Sequence, residues 1–470
     1  MKLTAHRIKN LPTSIAFWVL SGFLIILVLT GGTSRSDEQS MILLRPVSFL
    51  ACGLALLTLK KEHFDGRILL FFGMLAVISI NLIYLIPLPP EIWRNLPGHD
   101  DIKLVDSAVN LGGVWRPITI APFDGWNSVA ALVAPLAILL LGFQLNQKEL
   151  WQLLFLLMGI AVLSGLLGML QAINSNSSAL YLYRIINTGS AVGIFANRNH
   201  AATLLACLFP MLAVFVTRSA IIESQIWRRN LAVAIAVMLV PIILITGSRS
   251  GLILAIIGLF GGAAILWTSG KVNSSTADKG KFKKAAMPMI AIVSLLSLSF
   301  VTFFLSRAEA VNRLFQGSLT EENRIGFWKM SVDLFWVYFP FGSGPGSFDQ
   351  VYQLLEKTNS LNRFYLNHAH NDWIEIATTY GFPGAIFLVA VTVVFFIKNW
   401  KLWVSMDRKR SSVVFGRMAG VAIAILGIAS VADYPLRTPT FMCVFAVLAL
   451  WFGEAGGHRD LTKQSSERAR

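Results

Sequence analysis

Leu150-Trp-Gln-Leu-Leu-Phe-Leu-Leu-Met-Gly-Ile-Ala-Val-Leu-Ser-Gly-Leu-Leu-Gly-Met-Leu-Gln-Ala172 runs for 23 residues without a charged side chain. Coiled as an α-helix it is about 34 Å long, enough to cross about 30 Å of hydrocarbon. Lipid offers the backbone no hydrogen bonds, so such a block must be a helix and not an open sheet. Similar blocks recur near 13–32, 41–59, 67–88, 126–144, 199–217, 230–246, 250–268, 287–305, 373–397, 415–432 and 437–453. Together they predict an all-α, polytopic membrane bundle of about twelve helices. The composition agrees: 55% of the 470 residues are hydrophobic and only 14% are charged, against about a quarter charged in soluble chains.

The formal charge of +15 raises the question of nucleic acid, but its distribution reads as a topology signal. With both termini cytoplasmic, the inner segments hold Lys60-Lys61, Arg228-Arg229, Lys279 to Lys284 and Arg408-Lys409-Arg410. That side takes about 24 of the basic residues, as the positive-inside rule requires. No nucleic-acid partner is expected. The first apolar block has a basic start (Lys2, Arg7, Lys9) but no clear small-residue cleavage site, and reads as a retained helix. Cys52, Cys207 and Cys443 each lie inside an apolar block without metal-ligand spacing, and read as packing residues.

Three sections follow: 1–305 with nine spans, a large periplasmic loop over 306–372 containing short helices, and 373–470 with three spans and a cytoplasmic tail. A second outward loop, near 89–125, carries Trp93, Trp115 and Trp126, which suits a stretch resting at the membrane surface. In the larger loop Ile325, Trp328, Val332 and Phe335 recur at near-helical spacing and predict a short amphipathic helix over the mouth of the bundle. Phe341-Gly-Ser-Gly-Pro-Gly346 then forces a turn.

The densest cluster of chemically capable side chains is Asn367-His-Ala-His-Asn-Asp372, just before the tenth span. A metal site is not expected, since no Cys or third His follows at ligand spacing; among the other five histidines only His99 and His200 are plausible outward candidates. Asp372 with Glu375 three residues on resembles a capping box. His370 then sits at the membrane–water boundary, where an imidazole takes a proton from an attacking hydroxyl. A polar helix entry without catalytic duty is the plainer alternative. Arg249, in Thr246-Gly-Ser-Arg-Ser-Gly251, lies in a tight hairpin at the outer mouth, and Arg324 opens the amphipathic helix. Two guanidinium groups suit a diphosphate leaving group. Interface snorkelling for Arg249, and pairing with Glu321 or Glu322 for Arg324, are the structural alternatives.

These residues resemble a known family, the O-antigen ligase and polymerase superfamily of bacterial inner-membrane proteins. The match rests on His370-Asn371 followed, after nine intervening residues, by Gly381-Phe-Pro-Gly384, the family's His-Asn…Gly-x-x-Gly pattern. Ser-Arg-Ser-Gly around Arg249, Arg324 with Trp328, and Gly193-Ile-Phe-Ala-Asn-Arg-Asn199 match further segments in the same order. The resemblance implies a metal-independent, inverting glycosyltransferase without a cofactor. It would move a glycan from undecaprenyl diphosphate to an acceptor hydroxyl on the periplasmic face of the inner membrane. Arg249 and Arg324 would hold the diphosphate and His370 would activate the hydroxyl. His368, Arg198, Asp372, Glu375 and Trp328 stand behind them, with Asp372 or Glu375 sharing or replacing the base. The acceptor would be lipid A core for a ligase of lipopolysaccharide biosynthesis, or a growing chain for an O-antigen or exopolysaccharide polymerase; a third branch glycosylates proteins. A secondary transporter or flippase is the alternative of another class, disfavoured by the absence of an obvious internal repeat and by few acidic residues in the spans.

Overall fold

A computed structural model describes residues 13–174, 178–217, 222–269, 319–356, 366–406 and 410–455. Its elements are helical. Among the described residues the β-type pairing is an isolated bridge between Leu88 and Arg116. The first half holds α1 (Ile15–Thr30), α2 (Met41–Thr58), α3 (Ile68–Ile83), α4 (Pro90–Trp93), α5 (Asp100–Ala108), α6 (Pro122–Ala131), α7 (Val133–Gly142) and α8 (Gln147–Ile173). The second holds α9 (Arg198–Thr217), α10 (Ile222–Ile245), α11 (Arg249–Thr268), α12 (Leu319–Val337), α13 (Phe348–Leu355), α14 (Asp372–Val404), α15 (Ser411–Ala432) and α16 (Pro439–Glu454).

Eight of these stretches are long and apolar enough to cross a membrane, α6 and α7 acting as one. Three further expected spans fall on α1, α3 and α16, apolar helices of 16 residues each. Each is about 24 Å long, short of a full crossing. The expected span at 287–305 lies outside the described residues.

Helix α9 is the central post, with 94% of its span buried. It accepts close neighbours because α11 faces it with Gly251, Gly258 and Gly262, where a Cβ would press on Ala202, the Ala206 carbonyl and the Phe209 carbonyl. Small residues let helices approach where lipid supplies no hydrophobic drive between them. The two helices therefore run parallel, and the starts of α9 and α11 lie side by side. The three cysteines are buried and free, as expected of packing residues.

Irregular backbone enters the bundle beside α9, and polar groups on α8 satisfy it. The side-chain Oε1 of Gln171 accepts from the Val192 and Gly193 amides, and the Ser164 hydroxyl accepts from the Ile194 amide. One end of the bundle gathers Gly31-Gly32, Asn197, Asp433 and Thr440. The opposite end ties Arg67 to Glu454 and to the Phe143 carbonyl, and Lys398 to the Gly453 carbonyl.

The glycine-rich run after α12 is a crosspiece. Gly342, Gly344 and Gly346 all have positive φ (81°, 91° and 77°), which only glycine adopts without cost. The crosspiece seals a kink in α14, where Gly381 leaves the helix at φ 56°, ψ −143° and Pro383 follows. Proline removes the amide that would serve the Thr379 carbonyl; that carbonyl accepts from Gly344 at 2.8 Å instead. The Thr378 carbonyl accepts from Ser343, and the Phe382 amide donates to the Pro340 carbonyl. The Gly-x-x-Gly element is thus the kink itself. A Cβ on Gly344 would overlap Thr119 in a backbone region that also disfavours side chains. Gly344→Ala is expected to cost at least about 2 kcal/mol, seen as a lower unfolding midpoint of the detergent-solubilised protein.

Two expectations need correction. The loop helix is longer than expected, and it buries Ser331 and Leu334, with Phe327 partly buried on the same face and Tyr338 buried just past its end, while Val332 is 43% exposed. The face turns because the helix packs on α14, through Ser331 and Thr378. Trp93 is fully buried and not at a surface. Its indole donates to the Val114 carbonyl, with Arg94 and Arg116 near its ring. Trp115 and Trp126 remain exposed.

Candidate active site at one end of the bundle

Asn371, not Asp372, caps α14: its side-chain oxygen accepts from the Ile374 amide at 3.1 Å. The expected capping box of Asp372 and Glu375 is therefore not formed, since N3 is Ile374, and both acids turn to other partners. Glu375 accepts from the Ala369 amide at 2.9 Å and lies 3.0 Å from His368 Nδ1. Asp372 accepts from the Ser430 hydroxyl and from Arg437 Nε. Between these anchored neighbours His370 takes φ 52°, a left-handed conformation that costs a non-glycine residue about 1 kcal/mol or more. The Trp328 indole donates to its carbonyl at 3.4 Å.

This backbone turns the two histidines to different partners. His370 Nδ1 is 3.5 Å from Asp433 Oδ1, and His200 Nε2 is 3.8 Å from the same oxygen. The other Asp433 oxygen accepts from the side-chain amides of Asn197 and Asn199. Asp433 is buried. Burial alone would push its carboxyl up; the facing imidazoles of His200 and His370 outweigh it and hold the group well below the ordinary carboxylate range. Tyr434 stands between the histidines, its ring 4.7 Å from that of His368 and 4.8 Å from that of His370.

Arg437 is the cation of the neighbouring cluster, 3.2 Å from Asp372 and 3.4 Å from Glu375. Burial would lower its pKa, but the charges of Glu375 and Asp372 prevail and raise it, so it stays charged. A cavity of about 440 Å³ opens beside it. His368, Asp372 and Glu375 line that cavity; His370, Trp328, Arg198 and Arg249 do not. Arg249 is half-buried at the first turn of α11, capped by Ser248 and preceded by Gly247 at φ 63°, which confirms the tight hairpin. Arg198 opens α9 next to it, two residues before His200. The side chain of Arg324 lies outside the described residues. His99 is buried in the 89–125 loop, within hydrogen-bonding distance of the Pro97 and Ile118 carbonyls, and takes no part.

The structure therefore joins the Asn-Arg-Asn, Ser-Arg-Ser-Gly and His-Asn segments at one end of three helices. Sequence reasoning missed Asp433, Tyr434 and Arg437. The available signal was Asp433-Tyr-Pro-Leu-Arg437, an ionisable break between two apolar spans, since charges at such places are expensive to keep. Among the described residues no three His, Cys, Asp or Glu side chains converge as metal ligands.

No curated protein matches the chain. The family model described as O-antigen ligase matches residues 233–389, the stretch that carries Arg249, Trp328, His370 and the α14 kink. The chain is thus a polytopic helical membrane protein in which about a third of the sequence, including the segments around Arg249 and His370, matches the O-antigen ligase family.

Proposed function

We propose that this protein transfers a glycan from undecaprenyl diphosphate to an acceptor hydroxyl on the periplasmic face of the inner membrane, with lipid A core as the acceptor. One observation carries the proposal: His370 is held in a strained backbone conformation against the buried carboxylate of Asp433. An imidazole oriented by a carboxylate is the arrangement of a general base.

The acceptor oxygen attacks the anomeric carbon as the bond to the diphosphate breaks on the opposite side, inverting the configuration. The hydroxyl proton passes to His370, and the electron pair of the broken bond leaves with the diphosphate. Arg249, at the N-terminus of α11 beside that of α9, meets the leaving charge with a guanidinium and two helix dipoles. Arg324 shares this role on the strength of the family resemblance alone.

The test is a glycan profile of cells lacking the gene, with lipopolysaccharide resolved on a gel and undecaprenyl-linked chains assayed in parallel. Long chains held on the carrier, with bare lipid A core, are the expected result. Single repeat units without long chains would make the protein a polymerase. An unchanged profile of every surface glycan would overturn transfer and return attention to transport.

A further inference from the structure

His200 is a buried titratable group that the proposed transfer leaves unused. It sits in the first turn of α9, two residues after Arg198, and is only 2% exposed. Its ring is held edge-on by Phe195, Tyr434 and Phe441, at 6.0, 5.4 and 6.0 Å between centroids. That aromatic box fixes the direction of the ring, and Nε2 faces Asp433 Oδ1 at 3.8 Å. His370 Nδ1 approaches the same oxygen at 3.5 Å. Contacts of this length commonly tighten only once substrate is bound.

A carboxylate offers about four lone-pair sites. The Asn197 and Asn199 side-chain amides take those of Oδ2, and the Tyr434 backbone amide donates to Oδ1 at 2.9 Å. A single site on Oδ1 remains for two imidazoles, so His200 and His370 compete for it. The rivals differ in what they can do with a second proton. His200 Nδ1 is buried and meets no hydrogen-bond partner among the described residues. A second N–H there would stand unsatisfied inside the aromatic box. One proton, on Nε2, is what the surroundings of His200 satisfy. His370 keeps 23% of its side chain exposed, so its imidazolium is not sealed from water. The other ionisable groups of this end are His368 with Glu375, and Arg437 with Asp372 and Glu375. Arg198 and Arg249 open α9 and α11, and the Tyr434 ring packs on all three histidines.

We propose that His200 is a positioning residue that sets the strength of the base. Its Nε2–H draws on the remaining lone pair of Asp433 and so limits how firmly that carboxylate stabilises a protonated His370. When the acceptor hydroxyl gives its proton to His370 Nε2, the new imidazolium takes Asp433 and His200 yields it. Asp433 stays ionised and His200 keeps its own proton throughout. The inference rests on the transfer function proposed above.

The experiment follows transfer against pH in proteoliposomes for the full chain and two variants. His200→Phe keeps a ring in the aromatic box and removes the N–H. His200→Gln removes the ring and returns an amide N–H near the place of Nε2. Without its rival, Asp433 favours the protonated form of His370, which cannot act as a base. In His200→Phe the acid limb of kcat should therefore move to higher pH by at least about 0.5, with the acceptor KM changed less than about twofold. In His200→Gln the limb should stay near its wild-type position. Equal displacement in both variants would show that only ring packing matters and overturn the assignment, as would an unmoved limb in His200→Phe. Ethoxycarbonylation of His370 by diethyl pyrocarbonate, followed against pH by mass spectrometry of its peptide, reads the same titration without turnover. It should shift upward in His200→Phe in parallel with kcat. Should that variant fail to fold, His200→Leu takes its place under the same expectation. Shifted labelling in a protein whose wild type transfers no glycan would sink the transfer function and leave the coupling of the two histidines standing. Unshifted labelling beside normal wild-type transfer would sink the coupling alone.

Discussion

Replacing His370 by alanine is expected to lower glycan transfer by about 10²- to 10⁴-fold, the usual contribution of a positioned general base, while the protein still inserts and folds. Folding should survive because the ring is only half-buried and Asp433, its charged neighbour among the described residues, keeps Asn197 and Asn199. Relief of the left-handed backbone is not part of the effect, since alanine meets the same φ of 52°. The informative comparison is His368→Ala. That ring serves Glu375 and lines the cavity, so its loss should lower kcat far less than loss of His370 does. Transfer assayed in proteoliposomes with lipid-linked glycan and lipid A core reads both. Full activity in His370→Ala would remove this residue from the chemistry and move the role of base to the His368–Glu375 pair.

Asp433→Ala should be the second severe change, through a different physical route. Asp433 does not line the cavity; it positions His370, faces His200, and holds Asn197 and Asn199 at the start of α9. Removing it strands the buried imidazole of His200 and the half-buried His370, Asn197 and Asn199, and a buried polar group left unsatisfied costs about 1 to 3 kcal/mol. We expect kcat to fall at least about 100-fold, with the acceptor KM little changed and the unfolding midpoint lower. A purely structural role predicts loss of folded protein with normal turnover in what remains, so kcat per folded molecule separates the two.

The acid side of stability gives an independent check. The Asp433 carboxyl is depressed in the folded protein, so its contribution is complete above the ordinary value of 3.8 and is lost as pH falls below that value toward the folded one. Asp433→Asn removes this contribution at neutral pH. It should therefore flatten the dependence of the unfolding midpoint on pH below about 4. An unaltered acid limb would show that the carboxylate is not held by the histidines as described.

The amino-acid order by itself determined the membrane class, the positions of eleven apolar helices, eight of them long enough to cross a membrane, and the tight hairpin at Arg249. These follow from local physics. Uncharged blocks the length of a bilayer must be helices, glycines at positive φ must be turns, and polar residues at helix starts must meet water or a ligand. The tertiary structure decided what those segments do for one another. Only packing of α11 on α9 through Gly251, Gly258 and Gly262 sets Arg249 near His200. Only the approach of Asp433 and Arg437, about 60 residues beyond the histidines, divides His370 from His368 and gives each its own acid. The capping residue moved from Asp372 to Asn371 for the same reason, because Asp372 was claimed by Arg437 and Ser430. Periodicity reports which face of a helix avoids water or lipid; it carries no record of which distant charge will be brought against that face. That choice belongs to the packed bundle, where a buried charge must find a partner or be lost.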